Sequence, residues 1–197
     1  RLGLPVPGLA TVLIGDNRLV SKLGVTHPSL ARITFHVYNT LIQETMQGSI
    51  RNPDTQNQIV EIFYNGQAVR IKAWGTKGHQ ESLFNDEIRG LMQFELWREL
   101  NEKEDEFLQK RYARLSRKQM QELKHRLTFI HTGEMVPYYI MRYGFYEGHT
   151  DYRADPIAIA WLFGLKSLEE LDEAFEGKLS SSSDFKPNNQ AIAIGTA

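Results

Sequence analysis

Residues 156–163, PIAIAWLF, are apolar on every side of any helix they form, and the Asp155-Pro156 step before them is a strong helix start. The aspartate carboxylate accepts from the first free N–H groups, and proline pre-sets the helical φ at the first position. A helix that is apolar all round must be covered all round, and eight residues are too few to span a bilayer. The rest of the chain has to wrap this segment. With 197 residues, 41% hydrophobic and 24% charged, the expectation is one globular domain over residues 1–178. Residues 179–197 have linker composition, with Ile192 and Ile194 able to pack back as an edge strand. The chain starts at Arg1 rather than Met, which reads as the loss of an N-terminal piece.

Helical signals dominate. Thr26-His27-Pro28 opens a helix whose apolar face runs through Leu30, Ile33, Val37, Tyr38, Leu41 and Ile42 to about Met46. Residues 82–100 read as a second, with Phe84, Ile88, Leu91, Met92, Leu96 and Leu100 as its stripe and Glu95 inside it. A carboxylate on such a stripe needs a partner, a raised pKa or a cavity. Ser116 with Gln119 forms a capping box, stapled by Leu115 and Met120, for a helix burying Leu123, Leu127 and Ile130. Gly133 reads as its stop, and a tyrosine-rich helix is expected from Glu134 to Gly148 with Pro137 in its first turn. Ser167 with Glu170 caps a last helix ending at Gly177.

Only one strand pair is secure. Asn65-Gly66 separates Ile59–Tyr64 from Gln67–Trp74, and Asn-Gly favours a two-residue type I′ turn. That turn sets Glu61 opposite Arg70 and Ile62 opposite Val69, with Val60, Ile62, Tyr64, Val69, Ile71 and Ala73 on the packed face. Two strands alone are marginal, so a third is sought in Thr11–Ile14 or in the tail. The Gly75–His79 stretch reads as a connecting turn. The fold class expected is therefore mainly α (α+β): a multi-helix single core carrying hairpin 59–74 or a three-stranded antiparallel sheet.

Composition excludes some chemistry. The absence of cysteine removes disulfides, thiol nucleophiles and thiolate metal sites, and leaves the compartment open. A net charge of −1 gives no global pull toward nucleic acid or anionic membranes. The seven Lys and Arg between Lys110 and Arg126 lack interleaved aromatics and read as a solvated face. Glu122 and His125 make half of a di-metal motif, which by itself carries little meaning. Neither a metal nor a cofactor is expected.

One stretch looks chemical. Residues 131–156 hold two histidines, five tyrosines, four carboxylates and two arginines. The favoured reading is a structural or protein-interaction module in which Tyr, His, Arg and Asp form a buried polar network. The alternative is an enzyme or binding protein that takes a small anionic or carbonyl-bearing ligand at loop 149–155. His149, Asp151 and Arg153 are its catalytic candidates, and Tyr143, Tyr146, Arg153 and Asp155 its ligand-binding ones. The partner is accordingly a protein or a small anion, with no nucleic acid and no membrane span.

Overall fold

The computed structural model describes residues 6–46, 59–148 and 150–180. Its elements in chain order are α1 (Val6–Lys22), α2 (His27–Met46), β1 (Ile59–Tyr64), β2 (Gln67–Glu81), β3 (Arg89–Trp97), α3 (Glu102–Arg111), α4 (Arg117–Thr128), β4 (Phe129–Gly133), α5 (Val136–Tyr143), α6 (Pro156–Leu162) and α7 (Leu168–Ala174). The strands form one antiparallel sheet in the order β1-β2-β3-β4. Its second strand breaks register between Gly75 and Gln80, making five strand segments if it is divided there.

This sheet overturns the expectation of a mainly α fold with a hairpin or three strands. The described residues combine these helices with an antiparallel sheet larger than a hairpin, which is an α+β class. Residues 82–100 are the largest departure. They form a loop and strand β3, with Met92, Phe94 and Leu96 alternating inward while Leu91 stays exposed. Apolar residues at that spacing fit either period over so short a run, and pairing with β2 and β4 decided it. Left-handed turns at Asn85 (φ 53°) and Glu87 (φ 63°) lead into the strand.

Four further expectations change with it. Thr11–Ile14 belongs to α1, where Val12, Asp16, Leu19 and Val20 are buried at helical spacing. The Gly75–His79 stretch lies inside β2 rather than in a turn. Gly133 ends strand β4, and the tyrosine helix stops at Gly144 (φ 62°) instead of Gly148. The tail residues Ile192 and Ile194 lie outside the described residues.

The hairpin has the register the turn dictates, Glu61 opposite Arg70 and Ile62 opposite Val69, with Asn65 and Gly66 both at positive φ. Both Ser116 and Ser167 carry complete capping boxes, and Asp155 Oδ1 accepts from the Ile157 N–H at 2.9 Å.

The α6 helix is buried along its whole length and touches α1, α2, α4 and β4. On the sheet, Ile62, Val69, Ile71, Phe94, Leu96 and Ile130 face this helical layer and complete the main core. The opposite face of the sheet carries Ile59, Glu61, Phe63, Arg70, Lys72, Trp74, Gln93, Glu95, Trp97, Phe129 and His131, all exposed or half-exposed. Among the described residues, no helix is long and apolar enough to cross a membrane.

Candidate functional site

Among the described residues, those singled out between 143 and 155 have different surroundings. Tyr143 points toward the β2–β3 connection, stacking on Phe84 at 3.7 Å and donating to Asp86 Oδ2 at 2.7 Å. That hydrogen bond, helped by desolvation, pushes its hydroxyl up to about 12. Asp151 is exposed and Asp155 is buried as the cap of α6. Burial raises the Asp155 carboxyl although the Arg126 and Arg153 charges oppose it. His149 lies outside the described residues.

Tyr146 and Arg153 lie in one partly buried polar cluster, built from α1, α2 and the loop that follows α5. Arg153 donates to Asp16 Oδ1 of α1 at 2.6 Å and to the Gly148 carbonyl at 3.0 Å, with 8% and 3% of the Arg153 and Asp16 side chains exposed. Its planar fork is thus engaged on both arms. The Tyr146 hydroxyl lies 2.9 Å from His27 Nδ1, and His27 Nε2 lies 2.6 Å from Asn17 Oδ1. An amide oxygen can only accept, so Nε2 carries the proton and Nδ1 accepts the tyrosine O–H. Gly144 makes the approach possible, since a Cβ there would sit 3.0 Å from the His27 ring in a left-handed conformation.

Asp16, Asn17 and His27 escaped the sequence reading because they lie more than a hundred residues before Tyr146. A polar residue in an apolar helical stripe was the available signal, visible at Asp16 once α1 is taken as a helix.

Burial lowers the His27 pKa below its ordinary value, partly opposed by the Asp16 charge. A depressed histidine contributes stability that is present above its unfolded pKa and lost as pH falls through the folded one. The stability advantage of the wild type over His27→Asn should therefore shrink when chemical denaturation is repeated from pH 7.5 down to pH 5. An advantage that is constant over that range would remove His27 from the titrating groups.

The second place is the outer face of the sheet. Its cross-strand rows are Glu61, Arg70, Trp97, Phe129 and Ile59, Lys72, Glu95, His131. A surface groove of about 570 Å³ opens here, bounded by Lys72, Glu95, Trp97, Lys124, His125 and Phe129. The His125 ring stacks on Phe129 at 4.8 Å. Next to the groove His131 lies between Trp74 at 5.5 Å and Tyr152 at 4.7 Å, and Tyr152 accepts from Gln93 Nε2 at 3.4 Å. Desolvation lowers the His131 pKa against the opposing charges of Glu95 and Asp151. Glu95, placed on a helical stripe by the sequence, is half-buried on this face between Lys72 and His131.

Among the described residues no group of three or more His, Asp or Glu could hold a metal ion. Glu122 pairs with Lys118 at 3.9 Å, while His125 turns to Phe129. No family model matches the chain, and neither a curated protein nor a solved structure matches it significantly.

Proposed function

We propose that this chain is a protein-interaction module that docks a linear polypeptide segment on the outer face of its sheet. The observation that carries this is the set of solvent-facing apolar side chains there: Ile59 is 57% and Phe63 71% exposed, Trp97 and Phe129 line the groove half-exposed, and Trp74 is half-exposed on the same face. Aromatic rings on a rigid sheet supply large contact area at low entropic cost. Four strands spaced about 4.8 Å apart give a face on the order of 300–400 Å². A folded partner needs about 800 Å² per side, so a short extended segment fits better.

Charge favours the same occupant. Arg70 is paired with Glu61 at 3.6 Å and Glu99 at 3.2 Å, and Lys72 stands opposite Glu95. The face is close to neutral, which suits a peptide and gives little attraction for a phosphodiester backbone.

The alternative, an anionic or carbonyl-bearing ligand at loop 149–155, has less support. Arg153 already bonds Asp16 and Gly148, and Asp155 occupies the start of α6. A ligand there would have to displace a buried ion pair.

The test is selection of a phage-displayed library of unconstrained peptides on the immobilised chain. Selected peptides should shift tryptophan fluorescence and bind Trp97→Ala and Phe129→Ala about tenfold more weakly, the range for loss of an aromatic anchor. No enriched peptide, or enriched peptides that bind both variants unchanged, would refute the proposal. Binding of a dodecamer of deoxythymidine that is lost in the same variants would make the face a nucleic-acid surface instead.

A further inference from the structure

Of the carboxylates in the 131–156 stretch, Asp155 and Glu147 are buried, and Asp155 caps α6. Glu147 is 2% exposed. Its Oε2 has no hydrogen-bond partner among the described residues, and no ion pair to it occurs there. Buried carboxylates that serve a fold are ordinarily hydrogen-bonded or paired, because an unpaired charge in an apolar setting is strongly disfavoured. Asp16 and Asp155 in the same region follow that rule. Glu147 does not.

The backbone at this point is also unusual. Gly144, Glu147 and Gly148 have φ of 62°, 68° and 62°. Two glycines adopt the left-handed region freely, whereas a glutamate there is disfavoured by its Cβ. Among the described residues the bonds that hold the segment closed are Gly144 N–H to the Ile140 carbonyl at 3.0 Å, Phe145 N–H to the Tyr139 carbonyl at 3.2 Å, the Tyr146 hydroxyl to His27 Nδ1 at 2.9 Å, Thr150 Oγ1 to the Glu147 carbonyl at 2.9 Å, and Arg153 to the Gly148 carbonyl at 3.0 Å; none of them engages the Glu147 side chain. The rest is burial of Phe145 and Tyr146.

We propose that residues 144–148 form a pH-operated hinge, closed while the Glu147 side chain is protonated and buried, and opened when that side chain ionises. Opening lets the carboxylate reach water and lets Glu147 leave its left-handed conformation, the glycines on either side taking up the backbone rotation.

Among the described residues no counter-charge pairs with the ionised form. Tyr139 of α5 is the group that senses the Glu147 charge, and it is a buried, neutral phenol. Asp16 and Arg153 act on the adjacent Tyr146, which His27 hydrogen-bonds. Neither Arg153 nor His27 forms an ion pair with Glu147 among the described residues, and Arg153 is committed to Asp16. Desolvation alone pushes the Glu147 carboxyl up to about 7.

The sign follows from linkage. A carboxyl whose folded pKa is raised binds its proton more tightly in the closed state. The closed state is therefore favoured below the ordinary carboxylate pKa, and its advantage declines on the order of tenfold per pH unit until about pH 7. Above that value the opening equilibrium levels off. The hinge depends on no reading of the outer sheet face, so either proposal can fail alone.

The experiment is native-state hydrogen exchange of the intact chain read on peptides covering 144–153, expressed as protection factors so that intrinsic base catalysis is divided out. Wild type and Glu147→Gln are compared from pH 5 to pH 8, a ratio that cancels the titration of His27. Protection of the wild type relative to the variant should fall about tenfold per unit up to pH 7 and then stay level. A ratio that does not change with pH would overturn the hinge. If the variant does not fold, carboxyl ¹³C titration of wild-type Glu147 decides, together with its own exchange. A midpoint near neutrality with loss of protection over the same range supports the proposal. A midpoint in the ordinary carboxylate range, or one near neutrality with unchanged protection, overturns it.

Discussion

Replacing Arg153 by alanine should lower the unfolding free energy by about 3–5 kcal/mol, the usual penalty for removing one member of a buried ion pair. The substitution takes from Asp16 a guanidinium 2.6 Å away, in a place where only 3% of the aspartate side chain is exposed. It also removes the donor to the Gly148 carbonyl within the same loop. A double-mutant cycle with Asp16→Asn separates the pair from general damage: the double variant should be more stable than the sum of the single losses implies. Urea unfolding of the four proteins at pH 7 measures this. Wild-type stability in Arg153→Ala would show that the fork is dispensable to the fold, and would return it to the ligand-binding reading.

A loss of similar size is expected at the centre of the molecule. Trp161 is fully buried in α6, with the Arg98 guanidinium 3.5 Å above its ring. Arg98 is held there by two 3.0 Å bonds to Glu104, whose own carboxylate completes the capping box of α3. Trp161→Ala opens a cavity and leaves the guanidinium without its platform, so a loss of about 3–5 kcal/mol is expected. Trp161→Phe should lose clearly less. It keeps a ring beneath Arg98 and removes an indole N–H that has no partner among the described residues. Thermal and urea unfolding of both variants test the order, and a phenylalanine variant as unstable as the alanine one would contradict it.

The docking face illustrates how a wrong element hides a surface. Taken as a helix, residues 82–100 place Glu95 among leucines and leave Trp97 without meaning. As strand β3 the same residues split by parity. Phe94 and Leu96 enter the core, while Gln93, Glu95 and Trp97 face outward beside Lys72 and His131. Every aromatic residue on the outer face of β3 and β4 became visible only through that pairing.

Local chemistry was legible wherever a few adjacent residues settle the outcome. The Asn65-Gly66 turn and its register, the capping boxes at Ser116 and Ser167, the Asp155 cap and the burial of α6 all follow from interactions within a handful of positions. Such features depend on backbone sterics and on side chains reaching their own neighbouring N–H groups, which sequence alone specifies. Tertiary structure decided the rest. It turned Thr11–Ile14 into helix and residues 89–97 into strand, because short apolar runs satisfy both periods and adopt the one that buries them. It also chose which polar groups of the 131–156 stretch meet. Tyr143 went to Asp86, Tyr146 to His27 and Arg153 to Asp16. These partners lie 57, 119 and 137 residues away, a separation across which only the packed fold can bring two side chains together.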